Sequence, residues 1–336
     1  MKKILAVVLC AVLMVSMFTL AGCGKKAELK LGLGVYSYLD SVASADGEKN
    51  GSANAVSTVA AVLLDASGKV VKAVIDVADN KLQFTATGEF VAAGEFTTKG
   101  EAKDAYGMKL YAGSAKEWYE QADAFCALLV GKTAQEINTL VATDGKGNAD
   151  VVNAGCTIYV TDFVKAVEKA IANAKDSKAT EADALQIGAY SVQTGAKNAE
   201  GEANGANEAD TTIAAAAVNK DGKVTALAID AVAAVVKFDA NGATANQSGE
   251  EITTKGGAGA NYGMAAYGTD LNGDGVVKEW FEQADVFANA CLNKNATEIA
   301  ALAAENGYAA ADVQTAGCTI NVADFVKAVV KACTIA

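Results

Sequence analysis

Apolar residues of strand-forming type occur in two pairs of segments along the chain. Residues 57–65 and 69–77 are rich in Val, Ile, Leu and Ala and flank a Ser-Gly dipeptide, which is typical of a β-hairpin turn. Residues 211–218 and 223–232 repeat this arrangement around an Asp-Gly dipeptide. The pattern therefore predicts two β-hairpins, and the second has more Ala and a lower strand propensity.

A helix is predicted to begin at a Lys-Glu-Trp sequence in each half of the chain. Apolar residues recur there at positions i, i+4, i+7 and i+11, so they share one face of the helix. In the first half they are Trp118, Ala122, Phe125 and Leu129, and in the second half they are Trp280, Ala284, Phe287 and Cys291. Cys291 takes the place of Leu129, so we interpret it as a buried packing residue and not as a ligand.

Two further helices are predicted after this one. A Thr-x-x-Glu sequence from Thr133 and an Asn-x-x-Glu sequence from Asn295 have the spacing of N-terminal capping boxes. The last helix should start at Asp162 or Asp324. Its predicted buried residues are Phe163, Val167 and Ala170, with the equivalents Phe325, Val329 and Ala332. Because strands come first and helices follow, the sequence predicts an α+β fold, with a twisted antiparallel sheet packed against helices.

The second half of the chain repeats the first, which predicts two tandem homologous domains. Both halves contain Tyr-Ser, Ile-Asp, Thr-Thr-Lys-Gly, Tyr-Gly-Met, Lys-Glu-Trp and Glu-Gln-Ala-Asp sequences in the same order. Domain 1 is predicted at 31–174 and domain 2 at 184–336, and they are called unit 1 and unit 2 below. Residues 175–183 are interpreted as a charged, helix-compatible linker. Each unit has a complete set of strands and helices, so each is expected to fold independently.

The N-terminus has the pattern of a bacterial lipoprotein signal. Two Lys residues precede an apolar stretch that ends in Leu-Ala-Gly-Cys at Cys23, so residues 1–22 are predicted to be a signal peptide. Cys23 would then carry lipid and begin a tether over 23–30. The mature chain would be anchored to a membrane without spanning it. The alternative is an ordinary secretory signal with an incidental Cys.

Composition removes several classes of function. The net charge is −12, every cationic side chain is Lys, and the chain contains no His. An acidic surface without Arg argues against nucleic-acid binding. The absence of His removes the usual general base and the usual zinc ligand, and no metal site is predicted. Five Cys remain after Cys10 and Cys23, an odd number without framework spacing, so no disulfide scaffold is predicted.

A five-residue sequence, Ala-Gly-Cys-Thr-Ile, occurs once in each unit shortly before the last helix. The copies are Ala154, Gly155, Cys156, Thr157 and Ile158, and Ala316, Gly317, Cys318, Thr319 and Ile320. Gly permits a positive φ or a close backbone approach, and a hydroxyl near a helix N-terminus is well placed for a phosphate. The alternative is a structural turn whose Thr caps the next helix. The residues alone leave both interpretations open.

The same segment, preceded by Asp150 or Asp312, resembles the flavinylation motif of FMN-binding domains. The resemblance implies that Thr157 and Thr319 are each joined to FMN through a phosphoester, installed by an FAD-dependent flavin transferase. This chain differs from the family pattern in two respects. The Asp lies seven residues before the Thr where six is usual, and Cys replaces Ala.

The other repeated blocks extend this resemblance over nearly all of the mature chain. They look like those of the flavinylated, two-domain FMN-binding lipoproteins of Gram-positive extracellular electron transfer. The resemblance implies a redox carrier more than a classical enzyme, lipid-anchored on the extracellular face of the cell membrane. Its implied partners are a membrane quinone-linked donor and extracellular acceptors such as ferric iron or free flavins. The alternative is a cofactor-free surface lipoprotein that binds a ligand or a protein partner.

Further candidate cofactor-binding residues lie in the repeated blocks. An aromatic and a thioether beside Gly would line an isoalloxazine ring, although a core turn is the alternative. The two Lys residues would pair with the FMN phosphate, or else be solvated. Each Glu-Trp pair is a helix start with a core aromatic, one edge of which would reach the flavin. These candidates are Lys99, Lys255, Tyr106, Gly107, Met108, Tyr262, Gly263, Met264, Glu117, Trp118, Glu279 and Trp280.

Two remaining features are given structural interpretations. Residues 270–275 resemble the first half of a calcium-binding loop, but position twelve is Phe281 where a bidentate Glu is required, so we interpret them as a surface turn. Cys156 and Cys318 have no adjacent positive charge in the sequence that would lower a thiol pKa. We interpret them as small packing residues beside the cofactor.

Overall fold

The computed structural model of the chain describes residues 27–266 and 277–334. The predicted signal peptide, the predicted lipidation site Cys23 and the calcium-loop-like segment 270–275 lie outside the described residues. Among the described residues, no helix has both the length and the apolar character needed to cross a membrane.

Each unit is built on three long antiparallel strands. The strands are β1 (Lys30–Ala43), β2 (Gly51–Leu64), β3 (Val70–Phe84), β4 (Phe90–Val91), β5 (Glu95–Phe96), β6 (Lys175–Asp176), β7 (Ala184–Lys197), β8 (Gly205–Val218), β9 (Val224–Phe238) and β10 (Glu251–Ile252). The predicted hairpins are confirmed as β2–β3 and β8–β9, although each strand extends well beyond its apolar run. The first long strand of each unit, β1 or β7, was not predicted.

Eleven α-helices complete the described part of the chain, and the fold is a mixed one with antiparallel sheets, compatible with the predicted α+β class. They are α1 (Lys99–Ala102), α2 (Met108–Ala112), α3 (Trp118–Leu129), α4 (Ala134–Asn138), α5 (Ala149–Ala154), α6 (Thr161–Ala172), α7 (Lys255–Ala258), α8 (Trp280–Cys291), α9 (Ala296–Ala300), α10 (Ala311–Thr315) and α11 (Ala323–Thr334). Short 3₁₀ helices cover Lys103–Tyr106, Gly259–Tyr262 and Met264–Ala266. The three predicted helices of each unit are confirmed, and both predicted capping boxes form. The other helices, all of six residues or fewer, were not predicted.

One face of each sheet is covered by the last helix of the same unit. A Cβ on Gly34 of β1 would lie 2.1 Å from the carbonyl oxygen of Ala166 in α6, and a Cβ on Gly188 of β7 would lie 2.1 Å from that of Ala328 in α11. Glycine at these positions therefore allows each helix to pack directly against the strand backbone. All the side chains predicted to be buried on α3, α6, α8 and α11 are buried, including that of Cys291.

The other faces of the two sheets pack against each other. Leu31, Leu33 and Val59 of unit 1 share a buried cluster with Ile187 and Ile213 of unit 2. At one end of this layer the rings of Phe84 and Phe238 stack with centroids 4.5 Å apart and planes 5° from parallel. Each unit thus covers an apolar sheet face of the other, an arrangement that the expectation of independent folding did not include.

The two units also exchange short strands. Strand β5 of unit 1 pairs with β7 of unit 2, and β10 of unit 2 pairs with β1 of unit 1. Matching ion pairs accompany the exchange, one between Lys331 and Glu95 at 3.3 Å and the other between Lys169 and Glu251. The segment 175–183 begins as strand β6 on β1, with Ala179 buried, so it is part of the packed structure and not a helical linker.

Candidate functional site

The repeated Thr lies in a turn that follows a short helix. Helix α5 ends at Ala154 and is capped by Gly155, where φ is +96°, and the equivalent Gly317 has φ of +104°. These left-handed conformations favour glycine and agree with the positive φ that the sequence predicts. Helix α6 begins only at Thr161, with Val160 at its N-cap, so the alternative in which Thr157 caps the next helix is wrong for unit 1.

The Cys between this Gly and Thr points into the core. Cys156 and Cys318 have no exposed surface, whereas Thr157 is exposed and Thr319 is half-buried. Burial raises the pKa of the Cys156 thiol, and it raises the pKa of the Cys318 thiol to about 11. Both thiols are therefore packing groups, and the neighbouring hydroxyl is the group that the turn presents.

A buried glutamine holds the Thr in each unit. The backbone N–H and the hydroxyl of Thr157 both donate to Oε1 of Gln121, at 2.8 and 3.1 Å. Thr319 donates in the same way to Gln283, at 2.7 and 3.1 Å. Both Gln side chains are 1% exposed. They were not among the predicted site residues, although a Gln three positions after Trp, repeated on an otherwise apolar helix face, was a signal for them.

The amide of the same Gln connects the Thr turn to the Tyr-Gly-Met sequence. Nε2 of Gln121 donates to Sδ of Met108 at 3.1 Å and to Oγ of Ser114 at 3.0 Å. A carboxylate oxygen of Glu117 accepts from the backbone N–H of Met108 at 2.8 Å. In unit 2, Nε2 of Gln283 donates to Sδ of Met264 at 3.5 Å, and Glu279 accepts from the N–H of Met264 at 2.9 Å. The Thr turn, the Gln, the Met and the Glu therefore form one connected group in each unit.

A lysine ammonium lies against the Thr turn. Nζ of Lys116 donates to the carbonyl oxygen of Ala154 at 3.3 Å, and a Cβ on Gly155 would lie 2.3 Å from that nitrogen. In unit 2 a Cβ on Gly317 would lie 2.5 Å from Nζ of Lys278. The absence of a side chain on the repeated Gly leaves room for this ammonium, so each Thr turn has a positive charge against it. Neither Lys was a predicted site residue, although both belong to the repeated Lys-Glu-Trp sequence.

The Thr-Thr-Lys-Gly sequence is held to the sheet by a buried carboxylate. Asp76 accepts from the Thr98 hydroxyl at 2.6 Å and from the Gly100 N–H at 2.8 Å. Burial raises the pKa of Asp76 to about 6, against the opposing effect of these hydrogen bonds. The same contacts in unit 2 join Asp230 to Thr254 and Gly256, at 2.7 and 2.8 Å, and burial again raises the carboxyl pKa. This arrangement fixes the Lys at the start of α1 and of α7.

That Lys is paired and mostly buried in both units, and is not a solvated side chain. Nζ of Lys99 lies 3.1 Å from Oδ2 of Asp79 and 5.3 Å from the ring centroid of Tyr106. Nζ of Lys255 lies 3.5 Å from Oδ2 of Asp210. The lysine side chains are 17% and 20% exposed. The structure thus joins Lys99 to the Tyr-Gly-Met sequence.

The aromatic candidates divide into core and surface residues. Trp118 and Trp280 are each 4% exposed, and their rings meet Phe163 and Phe325 edge-on in the helix–sheet core. Tyr106 is 37% exposed and Tyr262 is 41% exposed, so neither is a core residue. Met108, Met264, Ile158 and Ile320 are partly buried and pack against the core of their own unit.

Among the described residues, no group of three or more His, Cys, Asp or Glu side chains could hold a metal ion.

No protein-family model, curated protein or solved structure matches this chain. The geometry of the two Thr sites is therefore the feature that points to a function.

Proposed function

We propose that this protein is an extracytoplasmic, lipid-anchored electron carrier with two FMN groups, joined as phosphoesters to Thr157 and Thr319. The observation that carries the proposal is the duplicated contact between an accessible Thr hydroxyl and a buried Gln, beside a lysine ammonium. Two units that differ in much of their sequence retain this arrangement with nearly the same distances. Such retention is expected where the turn serves a chemical purpose in both.

The residues around each Thr suit a flavin phosphate. A phosphodiester is anionic, and Lys116 or Lys278 supplies a positive charge at the turn without a side chain on the preceding Gly in the way. The Gln orients the hydroxyl, and the partly exposed Tyr-Gly-Met sequence leads away from it as a surface for a flat ring. When bound, the flavin supplies one- and two-electron transfer. The protein contributes attachment, orientation and charge.

A carrier fits this site better than an enzyme with its own substrate. The titratable groups close to the Thr are engaged in structural contacts, because Glu117 binds the backbone of α2 and Lys116 binds that of α5. The acidic surface suits weak, salt-dependent docking to redox partners. We propose a membrane quinone-linked donor and extracellular acceptors as those partners, with a lipid anchor on Cys23 and a flavin transferase that modifies the exported chain.

Intact mass under denaturing conditions tests the covalent attachment. The chain made together with an FAD-dependent flavin transferase should carry two additions, each of one FMN less a water. Thr157→Val or Thr319→Val should remove one addition, and the double variant both, because valine keeps the shape and lacks the hydroxyl. Thr→Ser should retain some flavin.

Thr315→Val is the matched control, because its hydroxyl donates only to a carbonyl within its own helix. This variant should keep both flavins. A double Thr157→Val, Thr319→Val chain that still carries two flavins would disprove attachment at these residues. A native chain that carries none, in the presence of an active transferase, would disprove the proposed function.

A cofactor-free binding protein is the second candidate, and one observation favours it. A cavity of about 900 Å³ lies between the units, lined by Leu31 and Leu33 of unit 1 and by Ile229 and Phe281 of unit 2. A cavity of this size, lined by apolar residues together with charged ones such as Lys175, Asp230 and Asp285, could hold a small molecule. Under this candidate the denatured protein would be colourless and its mass unmodified.

A further inference from the structure

The Lys that begins α1 or α7 faces a carboxylate supplied by different strands in the two units. Asp79 of β3 pairs with Lys99, whereas Asp210 of β8 pairs with Lys255. The units align with an offset of 154 residues here, because Asp76 and Asp230 are equivalent and 230 − 76 = 154. By this alignment β8 is equivalent to β2 and not to β3. The two Asp residues are therefore not equivalent in sequence.

The strand register shows that the two Asp residues nevertheless occupy one cross-strand pair. In unit 1 Val56 lies directly opposite Asp79, and in unit 2 Asp210 lies directly opposite Ala233. Asp210 is the equivalent of Val56, and Ala233 is the equivalent of Asp79. The two units therefore carry the carboxylate on different strands of the same cross-strand pair, and the opposite position is apolar in each. The negative charge beside the Lys is retained, although it comes from a non-equivalent residue.

Each of these carboxylates also has one oxygen that the described residues leave unsatisfied. Oδ1 of Asp79 and Oδ1 of Asp210 are buried without a hydrogen-bond partner, while Oδ2 of each faces the Lys. A buried acceptor without a partner carries a free-energy cost, and such a group in a native structure calls for an explanation. Oδ1 is enclosed, but the carboxylate as a whole can be reached, because the Asp79 and Asp210 side chains are 29% and 25% exposed. The presence of a carboxylate beside the Lys in both units, from different strands, indicates a requirement for this charge at this place.

A series of contacts connects this pair to the attachment residue. The ring of Tyr106 lies beside Lys99, Met108 follows two residues later, and Gln121 joins Met108 to Thr157. In unit 1 the carboxylate–ammonium pair and the Thr are therefore linked by a series of contacting residues. A ligand attached at the Thr by its phosphate and lying along these residues would reach the pair.

We propose that this Asp–Lys pair binds the pyrimidine edge of the flavin ring in each unit. A partly exposed carboxylate and an adjacent ammonium complement an imide, which presents an N–H between two carbonyl oxygens. The carboxylate of Asp79 or Asp210 accepts the imide N–H, and the Lys donates to a neighbouring carbonyl oxygen. This inference rests on the proposed function, and it assigns Lys99 and Lys255 to the ring where the sequence suggested the phosphate.

The Asp and the Lys shift the midpoint potential of the flavin in opposite directions, because their charges are opposite. Reduction adds negative charge to the ring, which a nearby carboxylate opposes and a nearby ammonium favours. Removal of the carboxylate should therefore raise the midpoint potential, and removal of the ammonium should lower it. A role limited to protein stability would not give shifts of opposite sign.

The test uses the full chain with Thr319→Val, loaded by the transferase so that unit 1 alone carries flavin, as checked by mass. The midpoint potential is measured by spectroelectrochemical titration for the parent, Asp79→Ala and Lys99→Ala. We expect a rise for the first variant and a fall for the second. The combined change Val56→Asp with Asp79→Ala copies the arrangement of unit 2 and should return the potential toward that of the parent.

Asp46→Ala removes the same charge from an exposed turn and controls for net charge. It should leave the potential nearly unchanged, and thermal melting should show that every variant is folded. Loaded chains whose potentials shift in one direction, or not at all, for Asp79→Ala and Lys99→Ala would overturn the role of the pair and leave covalent attachment standing. Chains without any flavin in the presence of an active transferase would overturn both proposals.

Discussion

The two units have nearly the same inner site but different surroundings. In both, the side chain of the Gln contacts the Thr, the Met and the backbone carbonyl oxygen of the Lys. Around the site of unit 1, Leu110, Tyr111 and Tyr159 are 75%, 82% and 68% exposed. Unit 2 has Ala266 in place of Leu110 and Asn321 in place of Tyr159. Exposed apolar groups are typical of contact surfaces, so the two sites present different surfaces to a partner.

Polar contacts on the outside of the Tyr-Gly-Met sequence also differ. In unit 1, Lys109 pairs with Glu120 at 2.6 Å, and the Tyr119 hydroxyl donates to Asp104 at 3.2 Å. Unit 2 has Ala265, Phe281 and Ala260 in place of Lys109, Tyr119 and Asp104. The contacts retained in both units are those around the Thr, and the outer ones differ. Under the proposed function, the two flavins would have the same attachment and different surroundings, which would suit them to different partners.

Separation of the units should have the largest effect. Fragment 28–174 would expose Leu31, Leu33 and Leu63, whereas 184–336 would expose a face with more Ala, such as Ala215 and Ala217. Apolar burial stabilises in proportion to area, so the first fragment should aggregate or self-associate more strongly than the second. Size-exclusion chromatography and circular dichroism of each fragment measure this. Two monomeric, cooperatively folded fragments would show that the shared layer is dispensable.

The pH dependence of stability should distinguish Asp76 from an ordinary carboxyl. Its folded pKa of about 6 lies above the unfolded value of 3.8, so the folded state retains a proton that the unfolded state has lost between these values. Stability should therefore fall as pH rises from about 4 to about 6, by about 2–3 kcal/mol in total. Asp76→Asn removes this contribution.

Urea unfolding at several pH values compares Asp76→Asn with the wild type, and Asp230→Asn serves as the matched variant in unit 2. The difference in unfolding free energy between the wild type and Asp76→Asn should change between about pH 4 and about pH 6 and be constant above that range. A difference that is constant from pH 4 to 8 would contradict the raised pKa. For Asp230→Asn, the difference from the wild type should vary with pH in the same direction, because burial raises the pKa of Asp230 too.

Replacement of the Gln should have the smallest effect on stability. This effect should be larger in unit 1 than in unit 2. Nε2 of Gln121 donates to Sδ of Met108 at 3.1 Å, whereas that of Gln283 donates to Sδ of Met264 at the longer distance of 3.5 Å. Gln121→Leu should cost about 1–3 kcal/mol of unfolding free energy, and Gln283→Leu somewhat less. Both should reduce flavin loading of their own unit, as measured by mass. Gln121→Glu keeps an acceptor for the Thr and should load better than Gln121→Leu, and equal loading of the two would exclude an orienting role.

Local patterns in the sequence were sufficient to predict the hairpins, the three main helices of each unit and the buried face of α3. These elements follow from periodicity and capping, which neighbouring residues determine. The strand β1 was missed because Gly32 and Gly34 interrupt its apolar pattern, and these glycines are explained only by the helix that packs on them. Gln121 and Asp79 were missed because their roles depend on partners distant in sequence.

The sequence of β2 also indicates the packing of one sheet against the other. Residues 59–64 of β2 form a continuous apolar run, and all six are 3% exposed or less. A strand with one face in water alternates polar and apolar residues, whereas an uninterrupted run is typical of burial on both faces. The run therefore indicated a second covering layer, although it did not indicate that the other unit provides it.

The exchanged strands have a consequence for the history of the chain. Residue Lys169 contacts Glu251 as its equivalent Lys331 contacts the equivalent Glu95, and Phe84 stacks on its own equivalent, Phe238. This reciprocity is the property of an isologous interface, in which two copies meet about a two-fold axis. A single-unit ancestor would have paired with itself in the same way, as a strand-swapped homodimer. Gene duplication and fusion of such a homodimer would give this polypeptide, in which the two surfaces no longer have to be identical.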